Sequence, residues 1–420
     1  MAHATPPATS DGPAAPDPQR RACLRRLATL SAWTALAGCG GGGSSDAPAP
    51  AAPPPPASPP PASPPTAPSP PLQVTTVAQG LDSPWGLAFL PDGRMLVTEK
   101  PGALRLVTPQ GQLSTPLAGT PAVAYEEQGG LLDVLLDADF ARNGRIYLSY
   151  AEPGSGGTKG TAVARGVLDL ARLRVADLQV IFRMQPKLEG ARHYGGRLAQ
   201  AGDGALFVTL GDRQLAGDGP QRLDTHLGKV VRIRPDGSVP HDNPFVGRPG
   251  ALPEIWSVGH RNVQGAAIHP GTGELWTCEH GPQGGDEVNI TRAGRDHGWP
   301  QRSYGCDYGQ PVGTGCAIGG GTHAPGFEEP RTYWVPTSIA PSGLAFYAHD
   351  RIPEWRGNLF TGALAGRALW RLVLDGAEVV FRERLLAHLN QRIRDVRTGP
   401  DGLLYLLTDG TSGRLLRIQA

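Results

Sequence analysis

A strand–turn–strand unit returns six times between Leu72 and Ala420, and this repeat sets the fold. Each copy opens on a glycine or a short polar residue, runs through four or five mostly apolar residues, turns tightly and enters a second apolar strand. The clearest copies span Gly86 to Thr98 and Asp395 to Thr408, and both turn on Pro-Asp-Gly. Glycine supplies the positive φ that tight antiparallel hairpins need. Degenerate copies begin at Gly130, Gly196, Gly265 and Gly343. Most continue into a third strand, as at Leu104 to Val107, Lys229 to Ile233, Leu369 to Leu372 and Leu415 to Ile418. No long helical period accompanies them. A β-sandwich or an open solenoid also uses many strands, but a sandwich has no constant repeat phase. The reading is therefore all-β, a six-bladed β-propeller over residues 72–420.

The chain before the repeat has another character. Arg20, Arg21, Arg25 and Arg26 precede a short apolar run, Leu27 to Leu36, that ends in Leu36-Ala37-Gly38-Cys39. The run is too short to span a bilayer, and its flanks fit a cleavable export signal over residues 1–39. Its last four residues resemble a bacterial lipobox, which makes Cys39 the expected lipid-bearing residue and the envelope the expected location: exported, periplasmic and lipid-anchored. Residues 40–71 are a glycine run followed by Pro/Ala/Ser repeats, a composition that buries too little apolar surface to fold and reads as a tether. With 39 basic and 38 acidic side chains, the chain has no basic field for nucleic acid. An oxidising compartment makes Cys306 and Cys316, which share one glycine-rich loop, the expected disulfide, and leaves Cys278 in an apolar segment as a buried free thiol.

Equivalent positions in different blades lie at one level around the axis, so residues just before each repeated strand ring one mouth. These are Gln128 in copy two, His193 and Tyr194 in copy three, Arg261, Asn262, Val263 and Gln264 in copy four, and Arg392 and Arg394 in copy six. Arg392 and Arg394 are two residues apart, so on extended chain they project to one face, where they repel unless an anion lies between them. With Arg261 as a third cation, the mouth suits a polyanionic small ligand. The segment Glu279 to Glu287 follows a strand of copy four and places carboxylates in a glycine-rich loop, a pattern able to present carbonyls and carboxylates to a hard cation such as calcium.

At these positions the sequence resembles a known family. The segments Gln128 to Asp133, His193 to Leu198, Gly259 to Gly265, Glu279 to Glu287, His297 to Pro300 and Arg392 to Val396 are similar, in order, to the motifs of the soluble glucose and aldose sugar dehydrogenases that depend on pyrroloquinoline quinone (PQQ). The resemblance implies oxidation of an aldose at its anomeric carbon, with an electron acceptor that the sequence does not identify. It implies His193 as the base that removes the hydroxyl proton, and Arg261 and Asn262 as the pair nearest the reactive carbonyl of the quinone. Gln128, Gln264, Arg392 and Arg394 are implied as further cofactor ligands. The carbonyls of Gly281 and Pro282 are implied to hold a calcium ion on the quinone, while Glu287 with the backbone of His297 resembles a second, structural calcium site.

The sequence departs from that pattern at three places. Arg192 precedes the histidine where the glucose-oxidising branch has an acid, Ala365 stands where several members place a cofactor lysine in the fifth blade, and Val263 replaces a common proline. Two other readings share the same fold: a calcium-dependent propeller lactonase or hydrolase, and an envelope protein that binds quinone or sugar without turnover.

Overall fold

The structure, a computed structural model, describes residues 68–215, 217–313 and 315–420. The signal and most of the tether, with Cys39, lie outside the described residues. The rest falls within one compact unit. Ser69, inside the expected tether, is already docked: its Oγ donates to Glu383 Oε2 at 2.7 Å and accepts from Trp355 Nε1 at 2.9 Å. Among the described residues no helix is long and apolar enough to cross a membrane.

Six antiparallel sheets form the blades of a propeller. Their inner strands are Pro84–Phe89, Leu131–Leu136, Gly195–Gln200, Val263–Ile268, Pro341–Phe346 and Ile393–Thr398, one for each predicted copy. Inner and second strands, such as Leu404–Thr408, are buried along nearly their whole length because a neighbouring blade covers each face. Outer strands meet water on one side, so Glu378–Leu385, Glu-Val-Val-Phe-Arg-Glu-Arg-Leu, alternates exposed and covered residues. The apolar clusters lie between blades. One joins Leu96 and Leu104 of blade one to Leu131 and Leu148 of blade two, and another joins Val97 of blade one to Leu81, Leu407 and Leu415 of blade six. Buried hydroxyls repeat this stitching: Thr98 donates to the Leu132 carbonyl, Ser149 to that of Gly196, and Thr209 to that of Val263 at 3.0 Å, each reaching into the following blade.

The ring closes through its first strand. Gln73–Leu81 pairs with Gly413–Gln419, so blade six takes three strands from the C-terminus and its outermost strand from the start of the domain.

The axis is filled by charge. At the third position of the six inner strands stand Gly86, Asp133, Arg197, Gly265, Gly343 and Asp395. The glycines make room: a Cβ on Gly86 would lie 2.7 Å from Asp133 Oδ1, and one on Gly343 would lie 2.3 Å from Asp395 Oδ1. Arg197 Nη1 pairs with Asp133 at 3.0 Å and Asp395 at 3.2 Å, and Arg397 pairs with the same carboxylates at 3.1 Å each. Two carboxylates and two guanidinium groups thus plug the channel. Leu198 N and Leu87 N also donate to Asp133 and Asp395, tying the plug to the backbones of blades three and one.

The predicted disulfide is present between Cys306 and Cys316, with Cα atoms 5.1 Å apart. Cys278 is free and buried, and burial pushes its thiol up to about 12.

Candidate active site at one mouth of the propeller

Antiparallel pairing puts the start of each inner strand and the end of each second strand at the same mouth. The residues at these two kinds of position build two adjoining pockets.

The first is a basin of about 300 Å³ lined by Trp85, Lys100, Gln128, Gln264, His280, Leu364, Arg392, Arg394 and Asp409. Arg392 and Arg394 do project to one side, and the anion between them is Asp409. Arg392 Nε donates to its Oδ2 at 2.8 Å, and Arg394 Nε and Nη2 donate to its Oδ1 at 3.1 and 3.0 Å. Burial alone would raise the Asp409 pKa, but the charges of Arg394 and Arg392 outweigh it and hold the carboxyl at about 2. Lys100 adds a third cation to the wall. Glu127 also borders the basin, but its carboxylate is engaged by Arg192. The departure at position 192 is thereby explained: Arg192 turns to the neighbouring blade's acid. The basin therefore keeps an excess of positive charge over one aromatic wall, Trp85, which is backed by the Arg197 guanidinium of the plug at 4.1 Å. A planar polyanion such as PQQ fits this set.

The second pocket, about 450 Å³, is lined by His193, Asp212, Arg261, Pro282, Trp299, Asp307 and Tyr308 among others. His193 sits at a φ of 50° at the head of blade three, where its backbone N–H donates to Gln128 Oε1 at 2.9 Å. Its Nδ1 lies 2.7 Å from Asp212 Oδ1, and Trp299 Nε1 donates to the other oxygen of Asp212 at 2.8 Å. An ionised carboxylate can only accept, so Nδ1 carries the hydrogen and Nε2 is left with a lone pair. Burial lowers the His193 pKa, and the Asp212 hydrogen bond opposes that fall without reversing it. The imidazole is neutral at ordinary pH, as a proton acceptor must be.

A hydrogen-bond chain joins the pockets. Arg394 Nη1 donates to Gln264 Oε1 at 3.2 Å, Gln264 Nε2 donates to Asn262 Oδ1 at 3.2 Å, and that same oxygen accepts from Gly195 N, two residues beyond His193, at 3.2 Å. The structure thus gathers every predicted catalytic and cofactor residue at one mouth but divides them. Gln128, Gln264, Arg392 and Arg394 line the basin, while His193 and Arg261 line the second pocket, with Asn262 between.

The residues expected to hold metal are arranged differently. The Gly281 carbonyl accepts a 2.6 Å hydrogen bond from Arg261 Nη1, whose Nη2 donates to Tyr308 Oη at 3.1 Å. That carbonyl can take a cation only once Arg261 releases it. Pro282 lines the His193 pocket. Asp286 serves another purpose: its carboxylate accepts from the amides of Gly281, Ile339 and Ala340 at 2.9, 2.6 and 2.8 Å and clamps the loop to blade five. Glu287 is buried beside Glu279, and burial together with that like charge pushes its carboxyl well up. Both ring nitrogens of the buried His297 lack a partner, and the ring stacks on His260 at 4.4 Å. Glu279 already accepts from Arg261 N at 2.7 Å and lies 2.8 Å from His260 Nδ1, and Glu287 accepts from Asn289 Nδ2 at 3.2 Å, so the two carboxylates offer a hard cation oxygen ligands that are partly satisfied within the chain. Among the described residues, however, no three His, Cys, Asp or Glu side chains converge as metal ligands.

Sequence reasoning missed Lys100, Asp212 and Asp409. All three follow a second strand, after Thr98, Thr209 and Thr408. The signal was available, since antiparallel hairpins return to the mouth from which they start.

Known proteins place this plugged six-bladed propeller, with its carboxylate-held imidazole beside a cationic basin. The profile of the glucose / sorbosone dehydrogenase family matches residues 81–417. The chain is 45% identical over 348 residues to aldose sugar dehydrogenase YliI of Escherichia coli K12, covering 83% of this chain and 92% of that one. A crystal structure of glucose dehydrogenase superposes with a TM-score of 0.79 at 49% identity, covering 83% of this chain and 99% of the other. The PQQ-bound form of aldose sugar dehydrogenase from Streptomyces coelicolor superposes with a TM-score of 0.68 at 29% identity, over 85% of this chain and all of that one, 100%. The chain belongs to the glucose/sorbosone dehydrogenase family.

Proposed function

We propose that this enzyme oxidises aldoses at the anomeric carbon to lactones, with PQQ in the basin and calcium beside it. The observation that carries the reading is the adjacency of a neutral, carboxylate-held imidazole to an anion-binding basin across one hydrogen-bond chain. When bound, PQQ supplies a two-electron acceptor for hydride, and calcium supplies Lewis-acid polarisation of it. The protein's own residues do the rest. His193 Nε2 takes the proton of the anomeric hydroxyl, and Asp212 fixes the ring and stabilises the imidazolium that forms. Arg392 and Arg394 orient the carboxylates of the cofactor, and Gln128 sets the backbone of His193. Arg261, which donates to the Gly281 carbonyl, would stabilise negative charge on the bound cofactor, and the carbonyls of Gly281 and Pro282 would hold calcium once that guanidinium is released. Glu287 and the backbone of His297 would hold a second, structural ion.

The test is a titration of the metal-free apoprotein with PQQ and calcium, followed by an aldose and an artificial electron acceptor. Dye reduction requiring both additions is expected. Lactone hydrolysis without quinone, or tight quinone binding without turnover, overturns the reading. His193→Ala should cut turnover by about 10²–10⁴-fold and leave PQQ bound, because a general base contributes on that scale. Since the His193 pKa is depressed, activity should hold from neutral pH downward past the ordinary histidine range and fall only as the ring protonates. Asp212→Asn removes the group that supports the imidazolium, so it should slow turnover and move that acid limb to lower pH.

Export to the periplasm on a lipid at Cys39 is part of the same proposal. The Cys306–Cys316 disulfide supports an oxidising compartment.

A further inference from the structure

Lys100 has no part in the reading above, and its placement asks for one. It follows the second strand of blade one, Met95–Glu99, and its backbone is held on both sides: its N–H donates to the Ser83 carbonyl at 3.1 Å and its carbonyl accepts from Leu131 N of blade two at 2.9 Å. Gly130 permits this approach, since a Cβ there would stand 2.1 Å from the Lys100 carbonyl oxygen. The side chain is thus delivered from a fixed root into the basin wall. An ammonium group has three hydrogens, and Nζ donates one to the Glu127 carbonyl at 2.8 Å.

Among the described residues no carboxylate forms an ion pair with it. Of the two acids that line the basin, Asp409 has both oxygens engaged by Arg392 and Arg394, and the Glu127 carboxylate is engaged by Arg192. Burial, then the like charges of Arg394 and Arg392, pull the Lys100 pKa down, against weaker support from Asp409. Three cations thus converge on about 300 Å³ with one acid to share. Blade five brings no cation of its own: Leu364 lines the basin, its carbonyl takes Arg392 Nη1 at 3.3 Å, and Ala365 follows.

We infer that Lys100 is a cofactor-binding residue, the third cation of the basin, donating its remaining N–H groups to a carboxylate of the planar anionic cofactor from the blade-one side. The inference rests on the PQQ reading of the basin. It puts the arginines of blade six and the lysine of blade one around one ligand, with Trp85 lining the same basin.

The experiment is an equilibrium titration of wild type, Lys100→Gln, Lys100→Met and Lys100→Arg with PQQ, read by absorbance and tryptophan quenching, with a thermal melt of each. Loss of one charge-assisted contact should weaken PQQ binding about 10-fold or more in Lys100→Gln and Lys100→Met, while Lys100→Arg stays near wild type. Melting temperatures should not fall in the neutral variants, since a cation is being removed from a positive cluster. Wild-type affinity in both neutral variants overturns the inference, as does an arginine variant that loses as much as they do. If wild type itself fails to bind PQQ, the reading of the basin fails first, and that result is distinct from either of the others.

Discussion

The axial plug and the basin above it are built from the same kinds of side chain and do opposite things. In the plug, Arg197 and Arg397 meet Asp133 and Asp395, two charges against two, every group buried or nearly so. In the basin, Lys100, Arg392 and Arg394 share Asp409. A cluster whose charges cancel within the chain has no call for a ligand and can only hold blades together. One that does not cancel stores a demand for an anion and costs the empty fold some stability until that demand is met. The difference lies in the sum of charge, and no single arginine reveals it.

Substitutions should separate the two clusters. The largest effect is expected from Asp133→Asn, which leaves two guanidinium groups of the plug with Asp395 as their one shared carboxylate. Breaking a buried pair costs about 3–5 kcal/mol, so denaturant unfolding should show a loss of that order. A loss under about 1 kcal/mol would mean that the plug is no more structural than a surface pair. Next in size, Arg394→Gln should weaken PQQ binding about 10–100-fold, on the scale of one hydrogen bond to a charged group, while changing the unfolding midpoint little. If it unfolds the protein and leaves binding intact, the two clusters have been assigned the wrong way round. The smallest effect is expected from salt. Raising ionic strength from about 0.1 to 1 M shortens the screening length from about 10 to 3 Å. PQQ affinity should fall several-fold, because the basin opens to solvent, whereas the buried plug should leave the melting temperature nearly unmoved.

The same contrast explains what the sequence could and could not reveal. The six inner strands were legible because tight turns and apolar runs recur at a fixed phase, and each predicted copy became one blade. The ring of polar residues ahead of those strands was legible for the same reason. The plug was hidden in plain view: Gly86 and Gly343 read only as the opening residues of repeat copies, and the closed ring shows that they clear space for Asp133 and Asp395 in the neighbouring blades. Asp212 and Asp409 were overlooked because attention went to one end of each hairpin. The fate of Arg261 had no sequence signal, since its partners Gly281 and Tyr308 come from two loops, the first clamped by Asp286 and the second spanned by the Cys306–Cys316 bridge.

The seam in blade six bears on how the molecule comes into being. Because Gln73–Leu81 has, among the described residues, its one ladder partner in Gly413–Gln419, the first described strand waits, edge unpaired, until the last residues are available. The sequence separation of that contact is close to the longest the domain permits, and contacts of that kind form late. The basin draws on blade six through Arg392, Arg394 and Asp409, so a chain lacking its final strand should have neither a closed ring nor a complete basin. Competence for catalysis and completion of the chain are, in this architecture, a single event.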